Sequence, residues 1–348
     1  MSLVNKSVRE LSQIQHFYGF RYVLNPLIHE RIFDKLKVSK LYPHSDRLKV
    51  LDLYPGPSQH SAVFYNRYKP TQHVLMDSRP DFVKHISEFI VHNKGCESAM
   101  QLYKHDPYDW QAYTDLIEVD KILTPSTMGR ESIHDKFLVM ANLTGMIGEG
   151  LFMQWLACIG NRNWLQRFGR VRMLVWVQQC TAVKLLAKPG DQLRAKCSLV
   201  TEAFTETKLL AAATNTKKLS GNSKISESML AEHQPVMFEQ QDVWPPSGKP
   251  ICLLEINPKN HTIELDNFDY VSKHMMILKS TPLFDSLDSL GHGGKEYFRE
   301  VVKDQKLLAK CPKDLTLHEF LHITELFDKW PFKPDIYLDF IDVFQEND

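Results

Sequence analysis

From Val50 to about Val177, short apolar runs alternate with amphipathic ones, and few architectures accept such a pattern. "LKVLDLY", "QHVLMD", "MQLYKHD", "KFLVMANL" and "RVRMLVWV" read as strands. "PSQHSAVFYNRY", "RPDFVKHISEFIVHN" and "GLFMQWLACIGN" read as helices between them. In the second of these, Pro80 sits early, and Phe82, Ile86, Phe89 and Ile90 share one face. The alternation implies right-handed crossovers and a mostly parallel sheet. Ligands of such sheets bind beyond the carboxyl ends of the strands, which directs attention to Tyr54–Ser58, Asp77, Asp106 and Asn142–Gly145.

The rest of the chain reads differently. Residues 205–235 are polar around Lys217–Ser226 and are expected to form a flexible loop. "VWPPSGKP" leads into a last strand, "ICLLEI", and beyond Asn257 the pattern is helical. Formal net charge is zero, so any nucleic-acid surface must come from a local cluster. The six cysteines are scattered with no CxxC pair, as expected of reduced thiols inside a cell. No run of about 18 apolar residues suggests a membrane span. The segment "MSLVNKSVRELSQIQ" lacks a secretory apolar core and is compatible with an organelle-targeting helix.

A methyl-donor or dinucleotide loop needs glycines, because the turn is tight and the backbone must approach the ligand. The usual order is acid-x-Gly-x-Gly-x-Gly; here it reads Asp52-Leu53-Tyr54-Pro55-Gly56-Pro57-Ser58, with only the middle glycine kept. Tyr54 brings a ring to the ligand's place, and Pro57 removes an N–H donor. Asp77 is placed to take a ribose hydroxyl pair and Asp106 to face an adenine amine, although acids at strand ends also serve as caps.

With "YGFRYVLNP" ahead of the sheet and "NLTG" after the fourth strand, the chain resembles the rRNA adenine dimethyltransferases. In that family an Asn-Leu/Ile-Pro-Tyr/Phe motif holds the target amine and stacks on the flipped base. Here Asn142-Leu143-Thr144-Gly145 lacks both the proline and the aromatic. In the lead, Gly19 remains, but Phe20 and Arg21 replace the polar pair that would touch the cofactor. "FYGFRYVLNP", "LKVLDLYPG", "DPYDW", "GLFMQWLACIGNRNW", "FDYVSKHMMILK", "DSLGHGG" and "WPFKPDIYLDF" together narrow the resemblance. Over essentially the whole chain it resembles the fungal mitochondrial RNA polymerase specificity factors, yeast members of the mitochondrial transcription factor B class.

That resemblance implies a Rossmann-like S-adenosylmethionine methyltransferase fold with a small C-terminal helical domain. The expected layout is an α/β domain over 1–262, helices over 263–330 and an acidic tail over 331–348. The implied role is non-enzymatic: binding mitochondrial RNA polymerase in the matrix as a heterodimer and helping it recognise, melt and hold a promoter. No cofactor is expected, and Gly56, Asp77, Asp106 and Asn142 are vestigial positions. The alternatives are a divergent S-adenosylmethionine-dependent rRNA adenine dimethyltransferase and a general RNA- or DNA-binding module.

Residues 161–200 hold Arg162, Arg167, Arg170, Arg172, Lys184, Lys188, Arg194 and Lys196 against one acid, Asp191. Trp164 and Phe168 are interleaved with them. Such a stretch suits phosphate contact, or it is a solvated, ion-paired face. Arg162, Arg167, Arg170, Lys184 and Lys188 are the candidate DNA contacts. "HDPYDW" adds Tyr108 and Trp110 just past the third strand. A ring there can stack an unpaired base, at roughly 1–3 kcal/mol per base, or pack beneath its own loop. The resemblance implies that this loop holds melted non-template bases.

The tail from Asp335 carries five acids and no base, with Ile336, Phe340 and Phe344 at helical spacing. It repels phosphate and is not expected to grip DNA through charge; docking on a basic polymerase surface, packing on its own domain and disorder are the open readings. His318-Glu319-Phe320-Leu321-His322 matches HExxH, but Thr316 and Glu319 form a capping box and no third ligand is specified. No metal is expected there. "SLGHGGKEYF" lacks a preceding strand and a GK[ST], so it reads as a turn between helices.

Overall fold

The computed structural model describes residues 2–14, 17, 19–214 and 224–336. It divides into two compact units. The first spans Met1–Val183 and Phe204–Asn260 and contains an eight-stranded sheet. Its strands are β1 (Lys49–Leu53), β2 (Gln72–Met76), β3 (Met100–Tyr103), β4 (Ile133–Asn142), β5 (Arg170–Gln178), β6 (Thr205–Ala213), β7 (Val236–Phe238) and β8 (Ile251–Pro258). Their spatial order is β3-β2-β1-β4-β5-β8-β6-β7. The first five are parallel, while β8 runs antiparallel to both β5 and β6. Strand order reverses between β1 and β4, which makes their carboxyl ends the switch point where such sheets receive ligands.

The parallel strands were visible as apolar runs because both faces of the sheet are covered. Leu51 pairs with Val74 on one side and Val139 on the other, and all three are buried. On one face, α1 (Pro26–Leu36) and α2 (Gln59–Tyr68) supply Ile28, Ile32, Phe33, Val63 and Phe64 to a core shared with Val50, Leu138, Leu174 and Leu253. Asn25 caps α1 by accepting from the Leu27 N–H, and Pro26 occupies the first turn, where no N–H is needed. Pro80 starts α3 (Pro80–His92) in the same way. Its buried face is Phe82, His85, Ile86 and Phe89, with Ile90 only half-buried.

The expected loop over 205–235 is corrected at both ends. Thr205–Ala213 is β6, with Leu209 opposite Leu254 and Ala212 opposite Cys252. Ser226 caps α5 (Glu227–His233). "LLAAA" has little strand propensity of its own, and burial between β8 and β7 decides its conformation. Residues 215–223, the centre of the polar run, lie outside the described residues.

The second unit takes Lys184–Ala203 together with the chain from His261 onward, so residues inside the 1–262 span contribute to the helical body. Its core gathers Phe268, Val271 and Met275 of α6 (Leu265–Ile277), Phe298 of α7 (Gly294–Val301), and Phe320, Ile323 and Phe327 of α8 (Leu317–Asp328). Arg194 is buried in this unit and donates to Glu202 at 2.7 Å and to the carbonyls of Ala187 and Leu315. Among the described residues no helix is long and apolar enough to cross a membrane.

Candidate nucleic-acid interface and the turn after β1

β1 runs into a turn that keeps the glycine geometry without the glycines. Tyr54, Gly56 and Ser58 all have positive φ, at +53°, +58° and +56°. These are the three glycine positions of the acid-x-Gly-x-Gly-x-Gly pattern. Beneath the turn, Asp52 is fully buried and accepts from Ser61 Oγ at 2.6 Å, with His60 Nε2 at 3.0 Å and His73 Nε2 at 3.4 Å. Burial opposes the charge, but the two imidazoles and the hydrogen bonds hold this carboxyl well below the usual range.

Side chains occupy the space above the turn. Phe20 lies so close to Gly56 that a Cβ there would sit 3.0 Å from its ring. Tyr54 is buried, and its hydroxyl donates to Asp106. Burial first, then that carboxylate, raise the phenol well above its ordinary pKa, so it stays a donor. Asp77 accepts from Arg79 Nε at 2.8 Å and from the Arg79 N–H at 3.0 Å. The Arg79 guanidinium lies 3.9 Å from the ring centre of Phe20, 4.5 Å from Phe82, 4.9 Å from Tyr54 and 5.5 Å from Phe17. Asn142 donates to the Arg21 carbonyl at 2.9 Å and accepts from Thr144 Oγ1 at 2.7 Å and the Thr144 N–H. Asp77, Asp106 and Asn142 are therefore all engaged by this chain's own groups. Arg79 was not singled out from the sequence; its place two residues after the acid in "MDSRP" is the only local signal.

The two aromatics after β3 part company. Tyr108 is 48% exposed, with its N–H held by Asp106 Oδ1 at 3.0 Å. Trp110 is half-buried, edge-on to Trp164 at 5.8 Å, and Trp164 is stacked on Trp155 at 4.9 Å. The packing alternative thus describes part of Trp110, whereas Tyr108 presents its ring to solvent.

The basic stretch is no continuous face. Arg162, at the left-handed end of α4 (Gly148–Asn161), and Arg167 are exposed. Arg167 pairs with Glu118 at 2.5 Å. Arg170 donates to the carbonyls of Pro258 at 2.7 Å and Glu131 at 3.2 Å. Arg172 is buried against Glu255 and Asn257, Arg194 is internal, and Lys196 pairs with Asp269 at 2.6 Å. Lys188 is exposed and Lys184 half-buried, both in the helical unit.

In α8, Thr316 and Glu319 do form the capping box, and Glu319 also accepts from Lys310. His318 and His322 are exposed. No group of three or more His, Cys, Asp or Glu is arranged to hold a metal among the described residues.

Strand order, switch point and the acid-turn-helix at β1 define a methyltransferase-class α/β domain. The chain belongs to the ribosomal RNA adenine dimethylase family, whose profile matches residues 11–325, and within it to the branch of yeast mitochondrial transcription factors. It is 59% identical to mitochondrial transcription factor 1 of Lachancea kluyveri, across the full length of both chains. It is 48% identical to that of Saccharomyces cerevisiae over 99% of this chain and 98% of the relative. Among solved structures, it resembles a dimethyladenosine transferase from Plasmodium falciparum (TM-score 0.58, 13% identity, 88% of this chain and 96% of that one). The 23S rRNA methyltransferase ErmE is similar in fold (TM-score 0.50, 10% identity, 85% and 97%).

Proposed function

We propose that this chain binds mitochondrial RNA polymerase in the matrix and helps it recognise, melt and hold a promoter, without catalysing methyl transfer. The observation that carries the reading is full-length identity of 48–59% to proteins named as mitochondrial transcription factors. The filled position at the ends of β1–β3 supports the second half. A methyl donor needs a free acid for its ribose and space along the turn. Here Arg79 holds Asp77, Tyr54 holds Asp106, and Phe20 lies against Gly56. These residues do not fit S-adenosylmethionine.

In this reading Tyr108 stacks on a melted non-template base, Trp110 backs the loop, and Arg162, Arg167 and Lys188 meet phosphates. Arg170 and Lys184 are the less exposed of the five candidates and are secondary. Run-off transcription from a linear duplex promoter, with the polymerase and with or without this protein, tests the proposal. The expected result is start-site-specific product only when it is present. Equal product without it refutes a role in initiation.

A further inference from the structure

Above the turn after β1, contacts run from Arg79 to the ring of Tyr54, from the Tyr54 hydroxyl to Asp106, and from Asp106 to the backbone N–H of Tyr108. We propose that Arg79 and Tyr54 are positioning residues: they form a strut that holds the Tyr108 loop ready for an unpaired base. The inference rests on the base-stacking reading of Tyr108 given above.

The relay starts at a guanidinium with both kinds of surface in use. Its edge is met by Asp77, through Nε at 2.8 Å, and its surroundings are the rings of Phe20, Phe82 and Tyr54. A planar cation between a carboxylate and aromatic rings is fixed in position and orientation, as a flexible ammonium is not. Tyr54 is anchored twice: its backbone by the turn and the N–H bond to the Met76 carbonyl at 3.0 Å, its ring by burial and the Arg79 guanidinium at 4.9 Å. Its hydroxyl reaches Asp106, and the raised phenol pKa keeps the proton on the donor.

Asp106 Oδ1 is the junction: it accepts both the Tyr54 hydroxyl and the Tyr108 N–H. A second anchor completes the loop, where Tyr113 Oη donates to the Pro107 carbonyl at 2.7 Å. Both tethered atoms, on Asp106 and Pro107, lie just before the tip, and the second is held from the far side by the buried Tyr113. Ordering a loop only when the ligand arrives weakens binding, and a loop ordered beforehand avoids that cost. Tyrosine at a glycine position accordingly has a use: it turns a ligand pocket into a support for the neighbouring loop.

Tyr54→Phe tests this with the smallest change, since it keeps the ring and the cage and removes only the hydroxyl. The expected loss of run-off product on a duplex promoter is roughly tenfold, as for one hydrogen bond to a charged acceptor. On a pre-melted bubble the loss should be less than about twofold on the same scale, and the thermal midpoint should stay close to wild type. Tyr108→Ala is run beside it. If Tyr108→Ala shows the duplex-selective loss and Tyr54→Phe matches wild type, the strut is refuted and base stacking stands. If neither variant shows it, both ideas fall. Equal loss on the two templates for Tyr54→Phe also overturns the strut. Independently, Arg79→Ala should lose duplex-selective activity and regain it with millimolar methylguanidine, which leaves wild type unchanged. Failure of that rescue in a folded variant overturns the role of the cation.

Discussion

Ser58→Gly should make this protein more stable, although it removes a side chain from a fully buried position. Ser58 precedes α2 at φ +56°, makes no capping hydrogen bond, and its Oγ has no partner. A non-glycine residue in the left-handed region costs about 1–2 kcal/mol. A buried hydroxyl left without a partner costs about 1–3 kcal/mol. Glycine gives back about 0.5–1 kcal/mol through the greater freedom of the unfolded chain. These ranges net to a gain of about 1–4 kcal/mol, and the packing lost around the buried side chain brings the expectation to about 1–2 kcal/mol. Five of the six tryptophans lie in the α/β unit, so tryptophan fluorescence during urea unfolding reports mainly on it. With a urea slope of about 3 kcal/mol/M, the midpoint should rise by about 0.5 M. Gly56→Ala is the opposing control. It adds a Cβ at φ +58° only 3.0 Å from the Phe20 ring and should lower the midpoint. A lowered midpoint for Ser58→Gly, or an unchanged one for Gly56→Ala, refutes the claim that the turn keeps glycine geometry under strain.

The buried His29 should make stability depend on pH. Burial, then the neighbouring His60, push its pKa down to about 3, so between about 3 and 6.5 the unfolded state binds more protons. This contribution is complete above pH 6.5 and falls by about 1.4 kcal/mol per unit below it, or about 2 kcal/mol by pH 5; His29→Gln should flatten that part of a stability–pH curve. Arg194→Leu should destabilise the helical unit by about 3 kcal/mol, because two carbonyls and Glu202 lose their donor, and hydrogen exchange in α6 should quicken. Tyr108→Ala should change stability by less than about 0.5 kcal/mol, whereas Trp110→Ala, losing its contact with Trp164, should cost about 2 kcal/mol in the same urea assay.

The central sheet was legible because β1 to β5 are buried strands that read as apolar runs between amphipathic helices. β6 was not, since its alanines signal neither strand nor core until β8 lies alongside. The return of Lys184–Ala203 to the helical unit was equally hidden, because composition does not change where the chain crosses between bodies. At the candidate site, the missing glycines and the Tyr54 ring could be read directly. That their backbone still adopts glycine conformations could not, nor could the pairing of Arg79 with Phe17, Phe20 and Phe82, which is a tertiary contact. Charge in a sequence carries no direction, so the basic stretch could not show that Arg172 and Arg194 point inward to partners from distant strands and turns. Most of the acidic tail, including Phe340 and Phe344, lies outside the described residues, which end at Ile336.

The central claim is that a methyltransferase fold here serves initiation with its cofactor position closed by its own side chains. Isothermal titration calorimetry of the wild-type protein with S-adenosylmethionine tests it most directly. The account predicts no binding heat above the dilution control. One-to-one binding that disappears on Asp77→Ala would contradict it and restore the dimethyltransferase reading.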